Sequence, residues 1–171
     1  MKTGRYQFGW TSGFVLTLLL IIAGCASAPV SGPTSPQSLA IWTLEDLSLP
    51  GTVPPELAEL LTAKVMETVE TTGTYPLVER ERLLAILQEL NLGSSQLADE
   101  ATGLRIGRLV GAQLMLFGSY QVVAAQMRID LRLVDVETGR VINAAEKTVP
   151  AGNLAGWLTG AEMATRGLFL Q

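Results

Sequence analysis

The sequence MRIDLRL, residues 127–133, alternates apolar and charged side chains without a break. Because successive side chains of a β-strand point to opposite faces of the sheet, this alternation predicts a strand with one buried face and one solvated face. The charged residues Arg128, Asp130 and Arg132 share the solvated face. They form either a partner-binding face or charge pairs with a neighbouring strand, and charge pairing is the simpler interpretation.

The segments around this strand predict an antiparallel meander. Residues 114–117 (LMLF) are apolar on both faces, which is typical of a central strand. Residues 135–140 (DVETGR) have turn chemistry, with Gly139 available for a positive φ, and residues 141–149 return as the last strand. Three consecutive antiparallel strands therefore form the C-terminal half of the predicted sheet.

The N-terminal half predicts two further strands separated by a helix. Residues 39–44 (LAIWTL) and 75–78 are the candidate strands. Between them, Pro54 and Pro55 suit the first turn of a helix, and Gly73 suits its end. The buried face of this helix is marked by apolar residues at every fourth position: Leu57, Leu61, Val65 and Val69.

Three more helices follow from similar patterns. One begins at Glu79, and a shorter one covers residues 102–110 and ends at Gly111. Gly103 and Gly107 precede Gly111 at intervals of four, which either lets this helix approach a neighbour closely or only makes it flexible. The C-terminal helix is weakened by glycines, so packing must hold it. It is outlined by Leu154, Trp157, Leu158, Ala161 and Leu168.

The order of elements defines the fold class: strand, helix, strand, helix, helix, three strands and helix. The first crossover should be right-handed, with its two strands parallel and adjacent or nearly so. Residues 39–171 therefore predict one α/β domain, in which helices flank a mixed β-sheet of about five strands.

The N-terminus has the features of a secretory signal. Lys2 and Arg5 precede residues 14–23 (FVLTLLLIIA), an apolar run interrupted only by Thr17. The run is too short for a stable bilayer span, which needs about 18 or more apolar residues. A basic start followed by a short apolar run is instead typical of a cleaved signal peptide.

The only cysteine of the chain follows this run directly. Ile22, Ala23, Gly24 and Cys25 resemble the bacterial lipobox, after which the thiol of Cys25 receives a diacylglyceryl group and becomes the new N-terminus. The alternative is an ordinary signal cleaved within residues 26–28. That alternative would leave an unpaired thiol in an oxidising compartment, so lipidation is preferred.

These features divide the chain into a signal peptide (residues 1–24), a lipidated cysteine with a tether (residues 25–38) and the α/β domain (residues 39–171). Residues 26–38 (ASAPVSGPTSPQS) contain too little apolar surface to fold, and 13 residues of flexible coil average about 20 Å from end to end. By resemblance to enterobacterial sorting, Ala26 after the cysteine indicates the periplasmic face of the outer membrane, in preference to the inner membrane.

Composition excludes several classes of function. Without residues 1–24, ten basic and sixteen acidic side chains remain, a net charge of −6, which disfavours nucleic acid as a partner. The chain has no histidine, and its one thiol is predicted to be acylated, so the usual zinc ligands and the commonest general base are missing. We therefore expect no metal and no cofactor.

We also expect no enzymatic activity. Two acidic residues are adjacent in sequence at Glu45–Asp46 and at Asp99–Glu100. Adjacent carboxylates are common in solvated loops, so they do not by themselves indicate a catalytic site. No nucleophile elbow, P-loop or dinucleotide fingerprint is present. We assign no catalytic residues.

Several segments together resemble the CsgG family of exported lipoproteins, the curli-secretion channel subunit and its relatives. They are residues 77–80 (LVER) followed by 83–90 (LLAILQEL), residues 106–118 (IGRLVGAQLMLFG) and residues 131–141 (LRLVDVETGRV). The similarity covers residues 39–148. Related domains occur in the peptidoglycan-synthase activator LpoB, the flagellar lipoprotein FlgO and the N-terminal part of TolB. The resemblance implies a mixed-sheet α/β domain for binding and assembly, with no catalytic residues to carry over.

One departure from this family affects the expected function. Its pore-forming members insert two long hairpins that close a transmembrane barrel, whose strands need about 9–11 residues each. Here the two insertion points offer only residues 121–126 and 150–153. The sequence therefore predicts a family member without barrel hairpins, which does not form a secretion pore.

Three functional hypotheses remain. The preferred one is an outer-membrane accessory lipoprotein, anchored to the membrane by its lipid, that binds other envelope proteins through its α/β domain. The others are an LpoB-like activator of a peptidoglycan synthase, for which the tether looks short, and a subunit of a curli-type channel, which the missing hairpins disfavour. The sequence leaves self-association of the domain open.

Overall fold

The computed structural model describes residues 36–90 and 99–170. Five strands and four helices follow one another along these residues: β1 (Leu39–Ile41), β2 (Glu45–Asp46), α1 (Leu57–Thr72), α2 (Arg80–Glu89), α3 (Glu100–Val110), β3 (Leu114–Val123), β4 (Gln126–Asp135), β5 (Val141–Pro150) and α4 (Leu154–Phe169). None of the helices within the described residues is long and apolar enough to cross a bilayer.

The predicted N-terminal features lie outside the described residues. They are the signal peptide with its lipobox residues Ile22, Ala23 and Gly24, the lipidation site Cys25, and residues 26–35 of the tether. They stay predictions.

The strands form one mixed sheet in the order β1-β3-β4-β5, with β2 also paired to β3. β1 and β2 run parallel to β3, with Leu39 opposite Leu114 and Glu45 opposite Ser119. β3, β4 and β5 are antiparallel, as the alternation in β4 and the turn before β5 predict. The expected fold class, a mixed five-stranded α/β sheet flanked by helices, is confirmed.

Two details of the sheet differ from the prediction. Residues 75–78 do not form a strand, because only Leu77 makes a bridge, which is parallel to Leu39. Pro76 has no N–H to donate, and α2 begins at Arg80, so the chain leaves the sheet after two backbone hydrogen bonds. The fifth strand is instead β2, which is formed by the pair Glu45–Asp46 that the sequence analysis attributed to a solvated loop.

Helices α1 and α4 cover one face of the sheet. Residues of β1, β3, β4 and β5 are buried there: Leu39, Leu114, Leu116, Tyr120, Met127, Ile129, Leu131, Leu133 and Val149. The predicted face of α1 packs against them, together with Ala161, Ala164 and Leu168 of α4. This side of the sheet contains the larger of two apolar cores.

Helices α2 and α3 cover only part of the opposite face. The smaller core on this side joins Met115 and Phe117 of β3 to Leu83 of α2 and Ile106 of α3. The neighbouring part of β4 and most of β5 remain exposed on this face. One half of the sheet is therefore buried on both faces and the other half on one face only.

The glycines of α3 have different roles. A β-carbon at Gly103 would lie 2.6 Å from Cε1 of Phe117, and one at Gly107 would lie 2.9 Å from Cγ of Met115. Gly111 instead ends the helix with a φ of 77°. Close approach to β3, left open by the sequence, is therefore the reason for the first two glycines, and αL capping is the reason for the third.

The connections at both predicted insertion points are short. Ala124 and Ala125 alone join β3 to β4, and three residues, 151–153, join β5 to α4. Neither connection contains an inserted hairpin, as the sequence predicts. Both alanines adopt the left-handed conformation, with φ of 50° and 60°.

Candidate functional site

The exposed half of the sheet forms a surface of six side chains, here called the open sheet face. Arg128, Asp130 and Arg132 of β4 stand directly opposite three residues of β5: Thr148, Glu146 and Ala144, respectively. Residues that stand opposite one another in neighbouring strands project to the same side. The structure therefore brings together the three residues predicted as a partner face and adds three from β5.

Most charges on the open sheet face are paired. Nε and Nη2 of Arg128 donate to the carboxylate of Asp130 at 2.9 and 2.7 Å, and Nη2 also donates to Glu146 on β5. The hydrogen bond and charge of Asp130, and then the charge of Glu146, raise the pKa of Arg128. The cross-strand pairing suggested by the sequence is present, while a role in partner binding stays a prediction.

A groove of about 410 Å³ adjoins the open sheet face. Its apolar lining includes Trp42 and Phe117, whose rings are tilted by 54° with their centroids 6.4 Å apart, and Leu83 and Leu87 of α2. Carboxylates also line it: Glu45, Glu59 and Glu100. The groove can accept an apolar side chain with a basic neighbour.

Arg132 connects the groove with the open sheet face. It belongs to the open sheet face through its place on β4, and it also lines the groove. Its Nη2 lies 3.2 Å from Oε2 of Glu100 at the start of α3. The two surfaces are therefore continuous, and a partner on the open sheet face can reach the groove.

A second arginine holds the walls of the groove together. Nη2 of Arg80, on α2, donates to Oγ1 of Thr43 at 3.1 Å and to Oε2 of Glu59, on α1, at 2.8 Å. Three segments that are distant in sequence are thereby connected. The close approach of α3 at Gly103 places Phe117 beside Trp42 on the same side of the sheet.

Three of the four carboxylates singled out in the sequence have structural contacts, and the fourth, Glu45, lines the groove. Asp46 accepts from the backbone N–H of Ser48 at 2.8 Å, and Asp99 caps α3 by accepting from Ala101 N at 3.2 Å. Glu100 pairs with Arg132. Within residues 36–90 and 99–170, no group of three or more Asp, Glu, Cys or His side chains could hold a metal ion.

Sequence reasoning missed the groove. Its lining comes from residues 42–45, which follow β1, and from α1, α2, α3, β3 and β4, and no local pattern indicates that these segments meet. Trp42 has the residue type of a contact residue, but a tryptophan in such a segment is more often part of the core. Only the packing of α2 and α3 on the sheet reveals the groove.

Residues 48–124 match the family model of the curli production assembly/transport component CsgG. The chain carries a CsgG-like domain. The match spans α1, α2, α3 and the central strand β3, and thus includes only part of the groove lining, since residues 42–45 and Arg132 lie outside it. No curated protein sequence is significantly similar to the chain.

Solved structures resemble this CsgG-like domain in fold. The C-terminal domain of LpoB from Salmonella enterica is 23% identical and superposes with a TM-score of 0.58, over 70% of this chain and 87% of that domain. The Escherichia coli LpoB domain is 19% identical, with a TM-score of 0.57 and coverage of 78% and 93%.

A third structure, the lipoprotein GNA1162 from Neisseria meningitidis, is 13% identical, with a TM-score of 0.57 and coverage of 80% and 100%. At these identities the similarity concerns the fold. The CsgG-like domain is thus also LpoB-related in architecture, as the sequence predicts.

Proposed function

We propose that the chain is a lipid-anchored accessory protein of the bacterial envelope, which binds another envelope protein through the open sheet face and the groove. The observation that carries this proposal is the uneven cover of the sheet. Helices α2 and α3 bury one half of its second face and leave the half formed by β4 and β5 exposed.

The composition of the open sheet face suits reversible protein binding. Arg128 and Arg132 carry ion pairs that a partner can complete or exchange, and guanidinium groups are favoured at protein interfaces. Ala144 and Thr148 are small and exposed, so a partner can approach the backbone of β5 closely. The neighbouring groove supplies apolar surface for one anchoring side chain.

The anchor is proposed at Cys25, after the lipobox residues Ile22, Ala23 and Gly24. Acylation there would hold the domain at the periplasmic face of the outer membrane. Globomycin, which blocks cleavage of lipoprotein precursors, should cause the uncleaved precursor to accumulate. Unchanged processing, or unchanged membrane fractionation of a Cys25→Ala variant, would contradict the anchor.

We further propose that the domain acts without catalysis. This is supported by the structural contacts of the carboxylates at Asp46, Asp99 and Glu100, which serve as a turn acceptor, a helix cap and an ion pair. In these contacts the three carboxylates orient the backbone and the side chains around them.

Site-specific crosslinking of the full lipidated chain in cells tests the binding face. A photoreactive amino acid at Ala144 should yield an adduct with a distinct envelope protein. The matched control is Ala63, an exposed alanine on α1 at the other side of the sheet. Equal adducts at both positions, or none at Ala144, would contradict the proposed face.

Activation of a peptidoglycan synthase is the second candidate, and the fold similarity to LpoB domains favours it. The predicted 13-residue tether, averaging about 20 Å, restricts how far such an activator can reach from the outer membrane. Stimulation of a glycan-polymerising synthase by the purified chain would establish this function. The match to the CsgG family model keeps the channel hypothesis in view, but the short connections at residues 124–125 and 151–153 argue against it.

A further inference from the structure

Three segments without charge meet at one end of the sheet. They are residues 47–55, 119–127 and 148–161, none of which contains Asp, Glu, Lys or Arg, although 16% of the whole chain is charged. Hydrogen bonds join them: Val122 N donates to Oγ of Ser48 at 3.0 Å, and Ala151 N donates to the carbonyl of Ala125 at 2.8 Å.

This end of the sheet also exposes aliphatic side chains. Leu49 is 73% exposed, Val123 is 56%, Leu47 is 50% and Leu154 is 41%. We call these four residues the apolar end. The side chains between them are uncharged, including Ser48, Thr52, Gln121, Gln126 and Asn153.

This composition favours a lipid surface over a protein as the occupant. Protein interfaces are enriched in Arg, Tyr and Trp and have a polar rim, whereas the apolar end exposes only Leu and Val. A bilayer penalises charge over the whole inserted surface, and the three segments contain none. The lack of basic residues also indicates that binding does not depend on anionic lipid.

We propose that the apolar end docks onto the bilayer to which the chain is anchored. Docking of this kind rests on the proposed function, because it requires the anchor at Cys25. Once the chain is anchored, contact between the apolar end and lipid is intramolecular, so a weak affinity of the loops suffices.

The tether is long enough for both contacts. β1 begins beside Leu114, at the end of β3 opposite Val123, so the tether leaves the domain at the far end of the sheet. The ten residues of β3 span about 33 Å, and the 13 residues of 26–38 extend to at most about 45 Å. The length of the tether, when it is stretched beyond its average of about 20 Å, therefore permits docking of the apolar end.

Docking in this way would orient the partner site. The strands would stand at a steep angle to the membrane, because the apolar end lies at one end of β3 and β4. Arg128, Ala144 and the rest of the open sheet face would then point sideways, accessible to a protein in the periplasm. The groove would have the same orientation.

Fluorescence quenching in vesicles tests the docking. The full lipidated chain has its own thiol acylated, so a Leu49→Cys variant offers one free thiol for an environment-sensitive dye. A Glu137→Cys variant is the matched control, because Glu137 is exposed in the β4–β5 turn at the opposite end of the sheet. Both are reconstituted into phosphatidylcholine vesicles that contain spin-labelled lipid.

We expect about twofold quenching and a blue shift at position 49, and neither at position 137. Flotation with the vesicles reports the anchor separately. Protein that fails to float refutes the anchor, whereas protein that floats with position 49 unquenched refutes the docking. In a labelled Val123→Cys variant, Leu47→Glu with Leu49→Glu should abolish the quenching, and persistent quenching would overturn docking through these loops.

Discussion

Gly160 of α4 lies directly against Val149 of β5. A β-carbon at Gly160 would stand 2.9 Å from Cγ2 of Val149 and 3.3 Å from Cδ1 of Ile129. Glycine is a poor helix former, so packing must hold α4, as its sequence predicts. The missing side chain is what lets α4 approach the sheet this closely.

Replacing glycines within α4 should have opposite effects at two positions. Gly160→Ala should lower the free energy of unfolding by about 1–3 kcal/mol, because the new methyl group overpacks against Val149. Gly167→Ala should raise it by about 0.5–1 kcal/mol, because a β-carbon there meets only Ala145 Cβ, at 3.9 Å. Chemical denaturation followed by circular dichroism measures both, and stabilisation by both alanines would contradict the close packing.

Tyr120 and Asp46 should make the fold sensitive to alkali. Burial of Tyr120, and then the charge and hydrogen bond of Asp46, raise the pKa of the phenol above its ordinary value of 10.0. Above pH 10 the unfolded chain loses this proton while the folded chain retains it, so stability falls as the pH rises towards the folded-state pKa. Below pH 10 the phenol of Tyr120 is protonated in both the folded and the unfolded chain, so it does not make stability depend on pH there.

Melting curves between pH 8 and pH 11 check this prediction. Tyr120→Phe should cost about 1 kcal/mol at neutral pH through the lost hydrogen bond and should flatten the alkaline decline. Tyr75→Phe, which leaves the Tyr120–Asp46 pair intact, is the control and should retain the decline. An unchanged alkaline slope in Tyr120→Phe would show that other groups cause it.

The β3–β4 turn should be open to stabilisation. Ala124 and Ala125 both have positive φ, a conformation that costs L-residues roughly 1–2 kcal/mol each and that Asn-Gly adopts readily. Ala124→Asn with Ala125→Gly should raise the free energy of unfolding by about 1–2 kcal/mol. Ala63→Gly on the exposed face of α1 should instead lower it by about 1 kcal/mol. A loss of stability in the turn variant would refute the strain.

The β4–β5 turn should respond to acid. The hydroxyl and backbone N–H of Thr138 donate to Oδ1 of Asp135 at 2.6 and 2.7 Å, and they lower the pKa of this carboxyl below its ordinary 3.8. The stabilisation is therefore present above pH 3.8 and is lost as the pH falls through the lowered pKa. Thr138→Val should weaken this acid dependence, as followed by melting curves below pH 5. A curve that matches the unmodified chain would exclude the turn as its source.

Local patterns predicted most of the elements. The alternation in residues 127–133 matches β4, the fourfold spacing from Leu57 matches α1, and Gly73 and Gly111 end their helices in the left-handed conformation. These features depend on residues that are close in the chain, so they can be recognised without the fold. The failed strand at residues 75–78 shows the limit, since only Leu77 pairs with β1 there, and Pro76 within the segment has no N–H to donate.

The sequence by itself determined which residues of each strand and helix are apolar, where the helices end and which motifs precede the domain. The tertiary structure alone decided that α2 and α3 stop short of β5, that Arg132 meets Glu100, and that three uncharged segments converge beside Val123. The reason is that side-chain periodicity specifies which face of an element is buried, but not which distant segment covers it. The open sheet face and the apolar end both depend on which distant segments pack against the sheet, so only the tertiary structure reveals them.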